Sequence, residues 1–193
     1  SCAFLSLYST QPLLPLFHKV FNASKLAVSL TVSASTLAVA LAAPFVGIMS
    51  DLLGRKKVIV PAMYLLAISN LLIATSPGLT MIIFWRFMQG LLTPAVFAVA
   101  IAYINEEWQA RETGFVTSVY VTGTVLGGFS GRLMSGFISG HWNWPWVFIT
   151  LGLLNLALAA AASSWLPPAK SFKKVEDYGA GLQNMLGHFR NKP

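Results

Sequence analysis

The stretch "GIMSDLLGRKKVIV", residues 47–60, sets Asp51, Arg55, Lys56 and Lys57, with the glycines Gly47 and Gly54, between two long apolar runs. Its setting decides how it is read. Of the 193 residues, 55% are hydrophobic and 10% charged, and the mean hydropathy is +0.66. An ordinary soluble domain is about 25% charged, so this supply does not cover a water-exposed surface. A bilayer-spanning helix needs about 20 mainly apolar residues. Such runs are predicted at residues 1–17, 27–49, 58–76, 80–104, 114–138 and 146–166. The fifth is glycine-rich and weakest by hydropathy, and the sixth stops at Pro167 and Pro168. No barrel-type strand alternation is visible, so helices must satisfy the backbone in lipid. The expected fold is an all-α transmembrane six-helix bundle over residues 1–168, followed by a linker over 169–193. The chain opens at Ser1 inside an apolar run, so it is expected to be a fragment with a shortened first helix. No basic segment precedes that run and no cleavage-type ending follows it, which argues against a signal peptide.

A net charge of +7 would suggest nucleic acid in a soluble protein. Here the basic residues sit in short connections, as membrane topology requires. Arg55, Lys56, Lys57, Arg111, Lys170, Lys173, Lys174, Arg190 and Lys192 fall on one side, Lys19 and Lys25 on the other, and Arg86 and Arg132 inside predicted spans. The basic side is expected to be cytoplasmic. Residues 47–57 and the C-terminal tail therefore face the cytoplasm. The lone cysteine, Cys2, excludes an internal disulfide, and His18, His141 and His188 are too scattered to make a metal site. No nucleophile–base set is present, no cofactor is implied, and an enzyme is not expected.

Within the charged stretch, Asp51 comes at the C-terminal, negative end of one helix, and the three cations come at the positive start of the next. Each placement is unfavourable by a few tenths to about 1 kcal/mol. Anionic headgroups compensate the cations. Asp51 gains nothing from that surface and needs a partner: Arg55 four residues on, or the N-terminus of a helix elsewhere. Gly47 and Gly54 beside it permit close approach and a tight turn.

Gly47, Asp51, Gly54, Arg55 and Lys56 resemble, in identity and spacing, the loop between the second and third helices of the major facilitator superfamily. The resemblance implies the N-terminal half of a twelve-helix secondary transporter. It implies two nested three-helix repeats, a small-molecule substrate between the halves near the midplane, and a bacterial inner-membrane location. The partners are then the lipid bilayer, a missing C-terminal six-helix half and protons as coupling ion, with no nucleic acid. In that family the loop aspartate engages a helix end of the opposite half, so residues 47–56 are expected to form a conformational switch. The alternative is a plain positive-inside connection, which accounts for the lysines but not for Asp51 and its glycines.

"MIIFWRFMQGLLTPA", residues 81–95, carries Arg86 inside a span, where an unpaired cation costs several kcal/mol. With Gly90 four residues on, it resembles the family's fourth-helix arginine motif, which implies a part in proton coupling. The alternative is an arginine snorkelling to the outer interface. In "VTGTVLGGFSGRLMSGFISG", residues 121–140, Gly123, Gly127, Gly131, Ser135 and Ser139 recur every fourth residue, a smooth face for close helix packing. Gly128 widens it and permits bending. The stretch resembles the fifth-helix motif of superfamily antiporters, but Gly128 stands where that pattern has proline and Arg132 interrupts its closing glycines. Arg132 has two open readings, interface snorkelling and a place in the pore.

"YSTQPLLP", residues 8–15, resembles the first helix of bacterial sugar- and drug-efflux permeases. Pro12 and Pro15 free backbone carbonyls, tolerable at depth only beside protein or a cavity. Tyr8 and Gln11 are candidates to line a substrate cavity, or else belong to a kinked packing helix. Ala34, Ala38 and Ala42, with polar Ser29, Ser33 and Thr36, read as a packing face of the second helix. Glu106, Glu107, Arg111 and Glu112 read as a salt-bridge cluster able to brace Arg55. Trp142, Trp144 and Trp146 read as an interfacial belt. The function expected is proton-coupled export of small organic solutes, with a non-transporting scaffold as the reading from another class.

Overall fold

The computed structural model describes residues 2–108 and 110–165, and every regular element among them is helical. The tail expected to be a linker, 169–193, lies outside the described residues. The elements are α1 (Cys2–Tyr8), a 3-10 turn (Gln11–Leu13), α2 (Leu14–Val20), α3 (Lys25–Leu53), α4 (Arg55–Ala74), α5 (Leu79–Glu107), α6 (Ala110–His141) and α7 (Trp144–Trp165). The six spans are α1 with α2, then α3 to α7. Four helices, α3, α4, α5 and α7, are long and apolar enough to cross a membrane. The 32-residue α6 is long enough, but serine, threonine and glycine dilute its hydropathy.

The first span is interrupted, not merely kinked, at its prolines. It breaks after Tyr8 and resumes at Leu14 through the 3-10 turn, because Pro12 has no amide to donate and constrains the residue before it. The other helices run longer than predicted. Residues 50–57, expected as a connecting loop, are helical except for Gly54. Gly54 has φ 92° and its amide donates to the Ser50 carbonyl at 3.0 Å, so a single left-handed residue reverses the chain. A side chain at that φ would be strained.

Among helices that are not consecutive in the chain, the close pairs are α3 with α5, α4 with α7 and α1 with α6. Exchanging the first three spans for the last three carries the first of these pairs into the third and maps the second onto itself. That is the pattern of two three-helix repeats related by a pseudo-twofold axis. Each pairing has a glycine at its tightest point. A Cβ at Gly90 would fall 2.6 Å from the Ala38 Cβ, one at Gly152 2.7 Å from Leu71, and one at Gly131 3.1 Å from the Leu5 Cα. In lipid no hydrophobic drive joins helices, so such close approach supplies the attraction.

The interior has three layers. Toward the charged turn, Cys2, Ala3, Val46, Val58, Met63, Leu66, Val96, Val99 and Ala159 form one apolar cluster. At the opposite end, Leu13, Phe17, Val28, Ile73, Ile82, Phe148 and Leu151 form another. Between them every helix but α2 contributes polar groups: Ser6 from α1, Thr31 and Ser35 from α3, Asn70 from α4, Arg86, Gln89 and Thr93 from α5, Ser135 from α6 and Asn155 from α7. The residues that α3 gives to this layer are thus Thr31 and Ser35, not Ser29, Ser33 and Thr36. Trp144 also departs from the expected belt. It packs edge-on against Phe17 at 5.4 Å and Phe21 at 5.7 Å, while Trp142 and Trp146 are exposed.

Candidate functional site

Arg86 anchors the polar layer. The side chain has no solvent exposure, so it does not snorkel to an interface. Its guanidinium makes five hydrogen bonds. Nε donates to the Thr31 carbonyl at 3.2 Å. Nη1 donates to the Ser6 carbonyl at 2.9 Å and to Gln89 Oε1 at 2.8 Å. Nη2 donates to the Leu7 carbonyl at 2.7 Å and Ser35 Oγ at 3.2 Å. Five donors meet five acceptors, none of them a carboxylate. The Ser6 and Leu7 carbonyls are in the last turn of α1, the end of a helix that favours a cation. The break in the first span therefore exposes carbonyls, and Arg86 takes them up. Gly90, one turn on, allows the backbones of α3 and α5 to approach until Nε reaches Thr31.

Ser6 extends the layer toward α4 and α7. Its Oγ accepts from Asn70 Nδ2 at 3.0 Å and from Asn155 Nδ2 at 2.6 Å, and its carbonyl accepts from Ser9 Oγ at 2.8 Å. Thr10 Oγ1, Asn70 Oδ1, Gln89 Nε2 and Asn155 Oδ1 are buried and have no partner among the described residues. Left unmet, each such group would cost about 1–3 kcal/mol. An apolar core would be cheaper, so stability alone does not account for this layer. Sequence reasoning reached Arg86 but missed Ser6, Asn70, Gln89 and Asn155. The available signal was a single amide inside each of the apolar runs "AISNLLIA" and "GLLNLAL".

On the flank between α1 and α6, Tyr8, Gln11 and Arg132 come together. The Arg132 guanidinium lies over the Tyr8 ring, 4.2 Å from its centroid, and Nε donates to Gln11 Oε1 at 2.8 Å. They border a hollow of about 240 Å³ that Phe4, Thr124, Val125 and Gly128 also line. Gly128 and Gly131 receive α1 here: a Cβ at Gly128 would fall 2.9 Å from the Tyr8 ring. Gly127 is buried. Gly123 does not join this contact, since a Cβ there meets nothing within 4 Å. The smooth face is narrower than its four-residue repeat suggested.

At the charged turn the two misplaced charges neutralise each other. Asp51, in the last turn of α3, pairs with Arg55, in the first turn of α4, at 2.6 Å across Gly54. Arg55 also grips Glu106 at the end of α5, with Nη2 2.5 Å from Oε1 and Nε 3.2 Å from Oε2, and donates to Ser50 Oγ. Such bidentate geometry is the strong form of this pair. Arg55 thereby ties α3, α4 and α5 together. Lys56 follows Arg55 in the first turn of α4. Gly47 is exposed within α3, with nothing within 4 Å of a Cβ, so no close approach occurs there, and the tight turn is at Gly54. Among the described residues no group of three or more His, Cys, Asp or Glu side chains could hold a metal ion.

A sequence profile described as Major Facilitator Superfamily matches residues 1–193. The chain belongs to that superfamily. Among its relatives, an uncharacterized transporter of Buchnera aphidicola (subspecies Schizaphis graminum) is 32% identical over 190 residues, covering 98% of this chain and 46% of the relative. The inner membrane transport protein YnfM of Escherichia coli is 34% identical over 172 residues, covering 88% and 41%. Multidrug resistance protein 2 of Bacillus subtilis is 24% identical over 139 residues, covering 70% and 35%. The chain spans about half the length of the curated relatives it matches. Its three-plus-three helix arrangement is that of one half of a superfamily transporter.

Proposed function

We propose that the protein exports small organic solutes across a bacterial inner membrane by alternating access, driven by an ion gradient, with protons as the coupling ion. The observation that carries this reading is the polar layer. Arg86 is held by neutral groups of the broken first span, of α3 and of its own helix, and four buried polar atoms nearby have no partner among the described residues. Broken helices at membrane depth occur where the freed backbone is covered by protein or borders a cavity, and in transporters such breaks mark the substrate and ion sites. Relatives named as multidrug resistance proteins support efflux. No carboxylate contributes to the polar layer among the described residues, so Arg86 serves coupling by modulating a proton carrier in a C-terminal six-helix half.

In this reading residues 47–57 and the tail face the cytoplasm, and residues 169–193 link the halves. Arg55 holds the Asp51 carboxylate, whose side chain remains 49% exposed, where a helix end of the other half can meet it. Gly47, Gly54 and Lys56 complete the switch, and Gly123, Gly127, Gly128 and Gly131 give α6 its packing face. Tyr8, Gln11 and Arg132 line the substrate cavity.

The test is uptake of a solute panel into inverted vesicles or proteoliposomes containing the full-length protein, with and without a protonophore. Accumulation abolished by the protonophore is the expected result. Accumulation indifferent to it, with an imposed pH gradient equally without effect, overturns proton coupling. No movement of any solute by a folded, inserted protein overturns the transporter reading.

A further inference from the structure

Arg132 raises a question that general solute transport does not answer. The acidic side chains of the described residues are Asp51, Glu106, Glu107 and Glu112, all at the charged-turn end of the bundle. Arg132 stands about 30 Å from the start of α6, at 1.5 Å per residue, and about 10 Å past its midpoint. That depth lies within the roughly 15 Å half-thickness of the hydrocarbon. A guanidinium there must face water or an anion, and snorkelling is not what its contacts describe. Gln11 Oε1 takes the Nε proton and the Tyr8 ring covers one face of the plane. These two restraints fix the rotation of the group and leave the Nη pair as a fork on the border of the hollow. The side chain is exposed, and neither Nη has a partner among the described residues.

A fork with fixed orientation, one uncompensated charge and an aromatic wall is suited to end-on recognition of a planar oxyanion. At about 240 Å³ the hollow is smaller than a drug-sized pocket, so it takes a head group rather than a whole molecule. A single positive charge is balanced by a monoanion, while a phosphate dianion would bring a second charge with no counterpart. We infer that this hollow binds the carboxylate of an organic monoanion, and that the exported solutes are organic acids. Phe4 and Tyr8 then receive the apolar portion next to the carboxylate, and Gly128 keeps the Tyr8 ring against α6. The second clause rests on the transporter reading; the binding site does not.

Equilibrium binding separates the two. The full-length protein in nanodiscs is titrated with benzoate, cinnamate and hexanoate, each beside its neutral amide. At least one carboxylate is expected to bind at least about tenfold more tightly than its amide. Arg132→Gln should remove that preference, Arg132→Lys should retain part of it, and Lys25→Gln, which deletes a surface cation elsewhere, should keep Kd within about twofold. Equal affinity for acids and amides, or no binding of any probe, overturns the site. So does an Arg132→Gln protein with unchanged carboxylate affinity. A lowered Tm in Arg132→Gln without any anion preference in the parent would show that Arg132 pairs with a carboxylate of the protein, and also overturns it. Anion binding that survives in a protein unable to transport would count against the proposed function alone.

Discussion

Arg86 Nη2 lies 2.7 Å from the carbonyl oxygen of Leu7, a residue 79 positions earlier in the chain. In an uninterrupted helix that oxygen would face the amide of Gln11. α1 ends at Tyr8, and a cation from α5 caps it instead. The first span and α5 thus share one joint. Lysine offers three donors on a single atom where arginine offers five in a fork. Arg86→Lys should therefore leave at least one buried acceptor unmet, at about 1–3 kcal/mol. The measurable result is a Tm lower by several degrees in detergent, with transport reduced more than tenfold. If Arg86 serves coupling, the residual transport will also have a displaced pH profile.

Gly90 and Gly123 make a matched pair of tests. Alanine at Gly90 would drive a methyl group into the Ser35 backbone and the Ala38 Cβ. Backbone does not yield as a flexible side chain does, so α3 and α5 must separate and stretch the Arg86 bonds to Thr31 and Ser35. Gly90→Ala should lower Tm and transport together. Gly123→Ala meets open space and gains helix propensity of up to about 1 kcal/mol. It should leave Tm unchanged or raised, measured side by side.

The Arg55 brace is partly open to water, with side-chain exposure of 49% at Asp51 and 41% at Glu106. Exposed pairs contribute about 0–1 kcal/mol. Asp51→Asn and Glu106→Gln should accordingly shift Tm little while membrane insertion stays intact. A switch role requires that Asp51→Asn slow transport far beyond that small stability change. Initial rates in proteoliposomes at equal protein density decide it, and rates equal to the parent's would remove the switch. Reversing the pair, with Arg55→Glu and Glu106→Arg together, should recover more transport than either change alone.

The number of spans, their order and the positions of charge were legible because lipid admits few solutions: apolar runs of helix length, and cations at their ends. Arg86 was legible for the same reason, since a cation inside such a run has to be accommodated. The break at Tyr8 was legible only as two prolines, which mark a disturbance without saying whether the helix bends or stops. Asn70 and Asn155 were not legible. One neutral amide barely alters hydropathy, and their importance arises from convergence on Ser6, residues 64 and 149 positions away. The reversal at Gly54 has the charge pattern of a solvated loop. In fact Asp51 and Arg55 compensate each other inside helical turns.

Asn155 separates stability from function most sharply. It has no solvent exposure, it makes a 2.6 Å bond to Ser6 Oγ, and its Oδ1 is unpartnered. Replacing it with leucine, which has the same heavy-atom branching, deletes an orphaned acceptor and extends the apolar packing of neighbouring Leu151 and Ala159. Ser6 keeps its bond from Asn70. Removal of a poorly satisfied polar group by an isosteric apolar one is neutral or stabilising by about 1–3 kcal/mol. Asn155→Leu should therefore hold or raise Tm. If the polar layer exists for transport, the same protein should move solute at a small fraction of the parental rate. A destabilised Asn155→Leu protein would mean that the layer is structural cement, and a stable one with full transport would mean that α7 lies off the path. Asn155→Ala is the necessary companion: it opens a void as well as removing the bond, and should lower Tm where leucine does not.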